Sequence, residues 1–133
     1  YESITDIKIC KWLQNCLYIK QTKPRPEEYK VFNGEELYTT ELVEKQSSLG
    51  DCCWDAITSM DIARLGKVIN DVHMNQKDMI PGYESHYANK IIEKMKHRHA
   101  GVKLMGAGGY GYMMIVTDSP EDDFIPINIR VTK

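Results

Sequence analysis

The sequence predicts an α+β sandwich, an antiparallel sheet with helices packed on one face. Three observations point there. Two strand-like runs open the chain, three helical periodicities fill its middle, and three strand-like runs close it. The 133 residues make one domain, long enough to bury a core without staples. Hydrophobic residues at 42% and charged residues at 27% are ordinary globular proportions.

In order, Asp6 to Leu13 and Cys16 to Thr22 read as strands joined by a tight turn at Gln14-Asn15. Pro24 and Pro26 then stiffen the chain around Arg25 and bar a central strand. Thr39 or Thr40 can cap a helix over about 41–59, whose Leu42, Leu49, Cys53, Ala56 and Ile57 share one face. Gly50 weakens that helix and suggests a close backbone approach. Asp61 caps a second helix carrying Ile62, Leu65, Ile69 and Val72, stopped by Pro81-Gly82. A third, over about 85–98, buries Ala88, Ile91, Ile92 and Met95, and its basic end suits the helix dipole.

Strands follow at Val102 to Met105 and Tyr112 to Thr117, the latter apolar throughout and so expected to be buried on both faces. From Ile125 to Val131 apolar and polar residues alternate, the pattern of a half-buried strand, with Pro126 at its start or at an edge.

Between two of these strands lies Lys103-Leu104-Met105-Gly106-Ala107-Gly108-Gly109-Tyr110-Gly111. Four glycines within six positions are entropically costly unless the backbone needs left-handed angles or a close neighbour. The spelling matches G-x-G-x-x-G, yet a dinucleotide fold requires a helix after the loop, and a β-type run follows here. A protein kinase requires a lysine strand, a helix and a catalytic loop beyond it, and too few residues remain.

The stretch resembles the third motif of the GHMP small-molecule kinases, commonly K-L-[ST]-G-A-G-G-G-G, with Met105 in place of the small hydroxyl residue and Tyr110 in place of a glycine. The sugar-kinase branch, with galactokinase, fucose and heptose-phosphate kinases, is closest in character. The resemblance is strongest over about 48–117, and more weakly Tyr18 to Thr22 followed by Arg25 looks like a family strand ending before a basic residue.

The resemblance implies a ferredoxin-like C-terminal domain. It also implies ATP and Mg2+ as cofactors of the complete enzyme and a sugar or sugar phosphate as acceptor. Gly106, Ala107, Gly108, Gly109 and Gly111 would border the nucleotide, and Arg25 and Tyr110 the substrate. The family's P-x-x-x-G-L-G-S-S motif and the N-terminal domain that supplies catalytic groups have no counterpart here, so no catalytic residue is assigned. The expectation is a fragment of a longer kinase, inactive alone. The alternative is a stand-alone α+β ligand-binding or protein-interaction domain. One departure stands out: the family commonly places a helix between its last two strands, where only the polar run Asp118 to Asp123 is available.

A net charge of −2 gives no reason to expect nucleic acid or an anionic membrane as partner. No run approaches transmembrane length and no signal peptide is evident. Cys10, Cys16, Cys52 and Cys53 lack metal-ligand spacing and read as buried, reduced thiols of a cytoplasmic protein. His97 and His99 fall on different faces of a helix, so no shared metal is expected. His73 and His86 read as surface or partly packed residues, and Asp122 and Asp123 as a solvated turn.

Overall fold

The computed structural model describes residues 2–130. The chain runs α1 (Ile7–Cys16), β1 (Leu17–Gln21), α2 (Thr40–Thr58), α3 (Ile62–Met79), a 3-10 turn (Pro81–Tyr83), α4 (His86–Arg98), β2 (Gly101–Leu104), β3 (Tyr112–Val116) and β4 (Ile125–Pro126). Among the described residues, one antiparallel sheet of four strands, ordered β2-β3-β1-β4, gives the expected α+β class with one strand fewer than the five expected.

Three helices start where their caps allow. Thr39, Asp61 and Ser85 each accept a hydrogen bond from a first-turn amide of α2, α3 and α4. Along α4, Ala88, Ile92 and Met95 face Val102, Leu104, Met113 and Ile115 of the sheet, with Tyr83 and Phe124 closing the cluster. A second cluster joins Ala56 of α2 and Leu65 and Ile69 of α3 to Cys16 and Val116. Each fully buried side chain of this size contributes about 1.5–3 kcal/mol.

The outer edge of β2 is closed by α3. Asn70 Oδ1 accepts from Val102 N at 2.9 Å, and His73 Nδ1 from Leu104 N at 3.4 Å. Side chains thus take the ladder bonds that an edge strand would otherwise offer to another chain. The approach needs Gly66: a β-carbon there would stand 2.3 Å from the Ala100 oxygen.

Several expectations fail. Residues expected as the first strand, Asp6 to Leu13, form α1 instead, because Asp6 Oδ1 accepts from Lys8 N at 2.8 Å and Ile9 N at 3.3 Å. Cys10 and Cys16 are then buried, and Trp12 and Leu13 pack on the second cluster. Gln14-Asn15 is helix rather than turn.

The expected strand over Ile125 to Val131 shrinks to Ile125–Pro126, paired with Ile19 and Tyr18 of β1. Its partner runs out at Leu17, where α1 ends; Ile129 N instead donates to Gln14 Oε1 at 3.0 Å. Val131 lies outside the described residues.

β3 is not buried on both faces, since Tyr112 is exposed and Met114 half-buried. Nothing stands within 4 Å of a β-carbon built on Gly50, so no backbone packs there. Cys52 and Cys53 are half-exposed rather than buried. His73 is fully buried.

Candidate functional site

The glycine loop hangs between β2 and β3 and is tied at both ends. Met105 N donates to Tyr112 O at 3.0 Å, and Gly111 N to Lys23 O at 3.0 Å. Gly111 O accepts from Thr22 N at 2.7 Å and from Thr22 Oγ1 at 2.5 Å, which docks the Lys23–Arg25 segment beside the loop. At the loop's centre, Gly109 N donates to Tyr83 O at 2.6 Å, and Ser85 Oγ donates to Gly109 O at 2.5 Å. Ser85 also caps α4 by accepting from Ala88 N at 3.0 Å.

All four loop glycines have positive φ: 63° at Gly106, 82° at Gly108, 81° at Gly109 and 94° at Gly111. Two of them also need the space. A β-carbon at Gly108 would lie 2.3 Å from the Tyr83 ring and 2.7 Å from its carbonyl oxygen; one at Gly109 would lie 2.8 Å from the Tyr29 ring. Gly106 and Ala107 stand exposed at the tip, and among the described residues their amides donate to no protein acceptor.

The segment that holds the loop is itself pinned. Tyr83 is buried and its hydroxyl donates to Leu104 O. Lys103 Nζ reaches Leu104 O at 2.6 Å and the Tyr83 hydroxyl at 3.1 Å, and burial lowers the pKa of this ammonium. Glu84 receives His73 Nε2 at 2.7 Å, the Asn89 amide, and Lys77 Nζ at 3.5 Å.

An aromatic clamp sits over Gly109. Tyr110 stacks on Tyr87 of α4 at 5.4 Å between centroids and 14° between planes, and meets Tyr29 edge-on at 5.2 Å. Lys23 Nζ lies 4.3 Å from the Tyr87 centroid and 5.5 Å from that of Tyr110. Offset stacking, an edge-on partner and a cation over the rings suit the quadrupole of each ring.

Two depressions meet at the loop. The first, about 430 Å³, is lined by Arg25, Met105 to Gly108, Tyr110 to Tyr112, and Ile19. Ile19 and Tyr112 project from one face of the sheet, because Gln21 pairs with Tyr112 and lies two residues from Ile19. The second, about 530 Å³, is lined by Arg25, Pro26, Glu27, Tyr29 to Phe32, and Ala107. Arg25 and Ala107 line both.

The structure therefore gathers Arg25, Gly106, Ala107, Gly108, Tyr110 and Gly111 around one cleft, and leaves Gly109 buried beneath it. Tyr110 reaches the cleft while stacked on α4 rather than extending freely into it. Sequence reasoning missed Lys23, Tyr29, Tyr83, Glu84, Ser85 and Tyr87. Only Ser85 carried a signal, as the residue ahead of a helical periodicity.

Fold and loop define an α+β domain whose glycine turn joins two sheet strands beside a cleft. The fold is similar to that of the mevalonate kinase of Methanococcus jannaschii, over 87% of this chain with a TM-score of 0.55 and 18% identity. The chain spans 36% of that protein's length. The likeness is one of fold. No family model and no curated protein matches the sequence.

Proposed function

We propose that this chain is the C-terminal domain of a GHMP-type kinase that transfers the γ-phosphoryl group of ATP to a sugar or sugar phosphate. The observation that carries this reading is the loop itself. Four glycines at positive φ turn between β2 and β3, and among the described residues the Gly106 and Ala107 amides have no protein acceptor at a cleft that these residues and Arg25 line. Amides so placed favour an anionic group, and a rigid loop keeps them aimed during reaction. The shared fold supports the reading, as does the K-L-x-G-A-G-G spelling at that turn.

In the complete enzyme Gly106, Ala107, Gly108 and Gly111 border the nucleotide, with Gly109 anchoring the loop from beneath rather than bordering it as the resemblance implied, while Arg25 and Tyr110 border the acceptor. ATP and Mg2+ supply the phosphoryl group and its charge neutralisation. The loop's free amides and the cleft wall fit a phosphate in a backbone cradle. Metal ligands and the acid or base are assigned to the N-terminal domain of the longer chain. This chain's own part is to orient the acceptor through Arg25 and to keep the loop fixed through Tyr83 and Ser85.

The test has two arms. The 133-residue chain alone shows no phosphoryl transfer and binds ATP more weakly than about 1 mM, since most oriented donors are absent. The longer protein, carrying a G-L-G-S-S segment, releases ADP in the presence of a sugar or sugar phosphate. A longer protein without that segment, or inert toward every such acceptor, overturns the kinase reading in favour of a stand-alone ligand-binding or interaction domain.

A further inference from the structure

We infer that the second depression is an anion subsite, and that the acceptor of this protein carries a phosphate group of its own. The inference rests on the kinase reading for the word acceptor, but its evidence lies elsewhere, in residues 23–32.

Three cations crowd that stretch: Lys23, Arg25 and Lys30. Glu27 and Glu28 lie in the same stretch, yet among the described residues none of the three cations enters an ion pair with them. Lys23 is held over the Tyr87 and Tyr110 rings. Arg25 and Lys30 are exposed and line the second depression together, and Arg25 reaches the first depression as well. A guanidinium presents a planar fork that fits two phosphate oxygens, and an ammonium adds a point charge beside it.

The remaining wall suits the rest of a sugar phosphate. Glu27 is the one acidic residue lining the depression, and its carboxylate accepts hydrogen bonds from hydroxyls. Phe32 offers a ring that is 59% exposed, a platform for the C–H face of a sugar. Tyr29 is already committed, its hydroxyl donating to Gly82 O at 2.8 Å and its ring meeting Tyr110.

The backbone under this wall is fixed before any ligand arrives. Val31 is buried, and a β-carbon on Gly82 would stand 2.2 Å from the Val31 oxygen, so the two segments are in close contact. Ala107 at the loop tip lines both depressions. A sugar bound with its phosphate at Arg25 and Lys30 would therefore extend past Ala107 toward the glycine loop, where a transferred phosphoryl group would arrive.

The experiment follows backbone amide shifts of residues 25–32 and 107 while the 133-residue chain is titrated with a hexose 6-phosphate. Parallel titrations use the neutral hexose, inorganic phosphate and ATP. The hexose phosphate is expected to bind at least about tenfold more tightly than the hexose, and Arg25→Gln and Lys30→Gln should each weaken it about tenfold. Glu27→Gln should shift the preference toward inorganic phosphate over the hexose phosphate, because it removes both a negative charge from the depression and an acceptor for the sugar hydroxyls. Equal binding of hexose and hexose phosphate overturns the inference. So does phosphate binding indifferent to both cation substitutions, or a preference of these residues for ATP. Failure of the kinase reading is separate: a longer protein that binds hexose phosphate through Arg25 and Lys30 but transfers nothing keeps the anion subsite and loses the phosphotransferase.

Discussion

His73 Nε2 lies 2.7 Å from Glu84 Oε2, both side chains buried, and this pair fixes the segment that grips the glycine loop. Leu104 N donates to the opposite ring nitrogen, so Nε2 carries the proton and donates to Glu84. Burial lowers the His73 pKa below its ordinary 6.5, against the raising influence of the Glu84 carboxylate. For Glu84, burial works against the charge. The hydrogen bonds from Asn89 and His73, with the charges of His73 and Lys77, outweigh it and hold the carboxyl below 4.5.

Both shifts have the same consequence. The unfolded chain takes up the proton first in each case, so stability should fall with acidification, beginning below about pH 6.5 for His73 and below about 4.5 for Glu84. Urea midpoints measured from pH 8 to pH 4 check this. The His73→Gln variant should be less stable at pH 8 and lose the upper part of the slope. An unchanged midpoint for the parent between pH 7 and 5, with His73→Gln following it throughout, would show that the histidine stays out of the titration.

Alanine substitution should separate the glycines by their surroundings. Gly106→Ala meets no neighbour within 4 Å and bears only left-handed strain, about 1–2 kcal/mol. Gly108→Ala adds a collision with the Tyr83 ring and carbonyl, and Gly109→Ala one with the Tyr29 ring. Both should cost more than Gly106→Ala by thermal or urea denaturation. Equal losses at all three positions would mean that Tyr83 and Tyr29 yield freely.

Ser85→Ala removes the α4 cap and the Gly109 contact together. The expected loss is about 1–2 kcal/mol, with faster amide exchange at Gly108 and Gly109. A loss of stability with loop exchange unaltered would reduce Ser85 to a helix cap.

Tyr110→Gly restores the residue that the resembled kinase motif carries. It should lower stability by about 1–3 kcal/mol, because two aromatic pairs at about 0.5–1.5 kcal/mol each disappear. In a longer protein with the proposed phosphotransferase activity it should raise the acceptor KM more than it lowers kcat, since Tyr110 lines the cleft while stacked on α4. An unchanged KM and unchanged acceptor preference would leave Tyr110 a packing residue only.

Local chemistry was legible wherever the determinant is local. Thr39, Asp61 and the residues before Ala88 announce three helices, because a cap and an apolar stripe act within one or two turns. The loop spelling likewise announced left-handed backbone or a close neighbour at these glycines, with at least one at positive φ expected; all four prove to have it. What the sequence by itself determined is therefore the α+β class, three of the four α-helices of the described residues and the loop.

Tertiary structure decided the rest. Asp6 to Leu13 is rich in strand-type residues, but Asp6 can cap a helix whose Leu13 and Cys16 are spaced for one face; burial of Trp12, Leu13 and Cys16 with residues of α2 and α3 settled it as α1. That outcome removed the partner strand for Ile127 to Arg130, whose own alternation remained intact. Short-range patterns record which backbone is possible, but strand pairing needs a neighbour from elsewhere in the chain. The same reason hid the site's supports. His73 and Glu84, Tyr110 and Tyr87, and Lys23 and Gly111 are far apart in sequence, and no spacing encodes their contact. Only packing of α3, α4 and the sheet brings them to the loop.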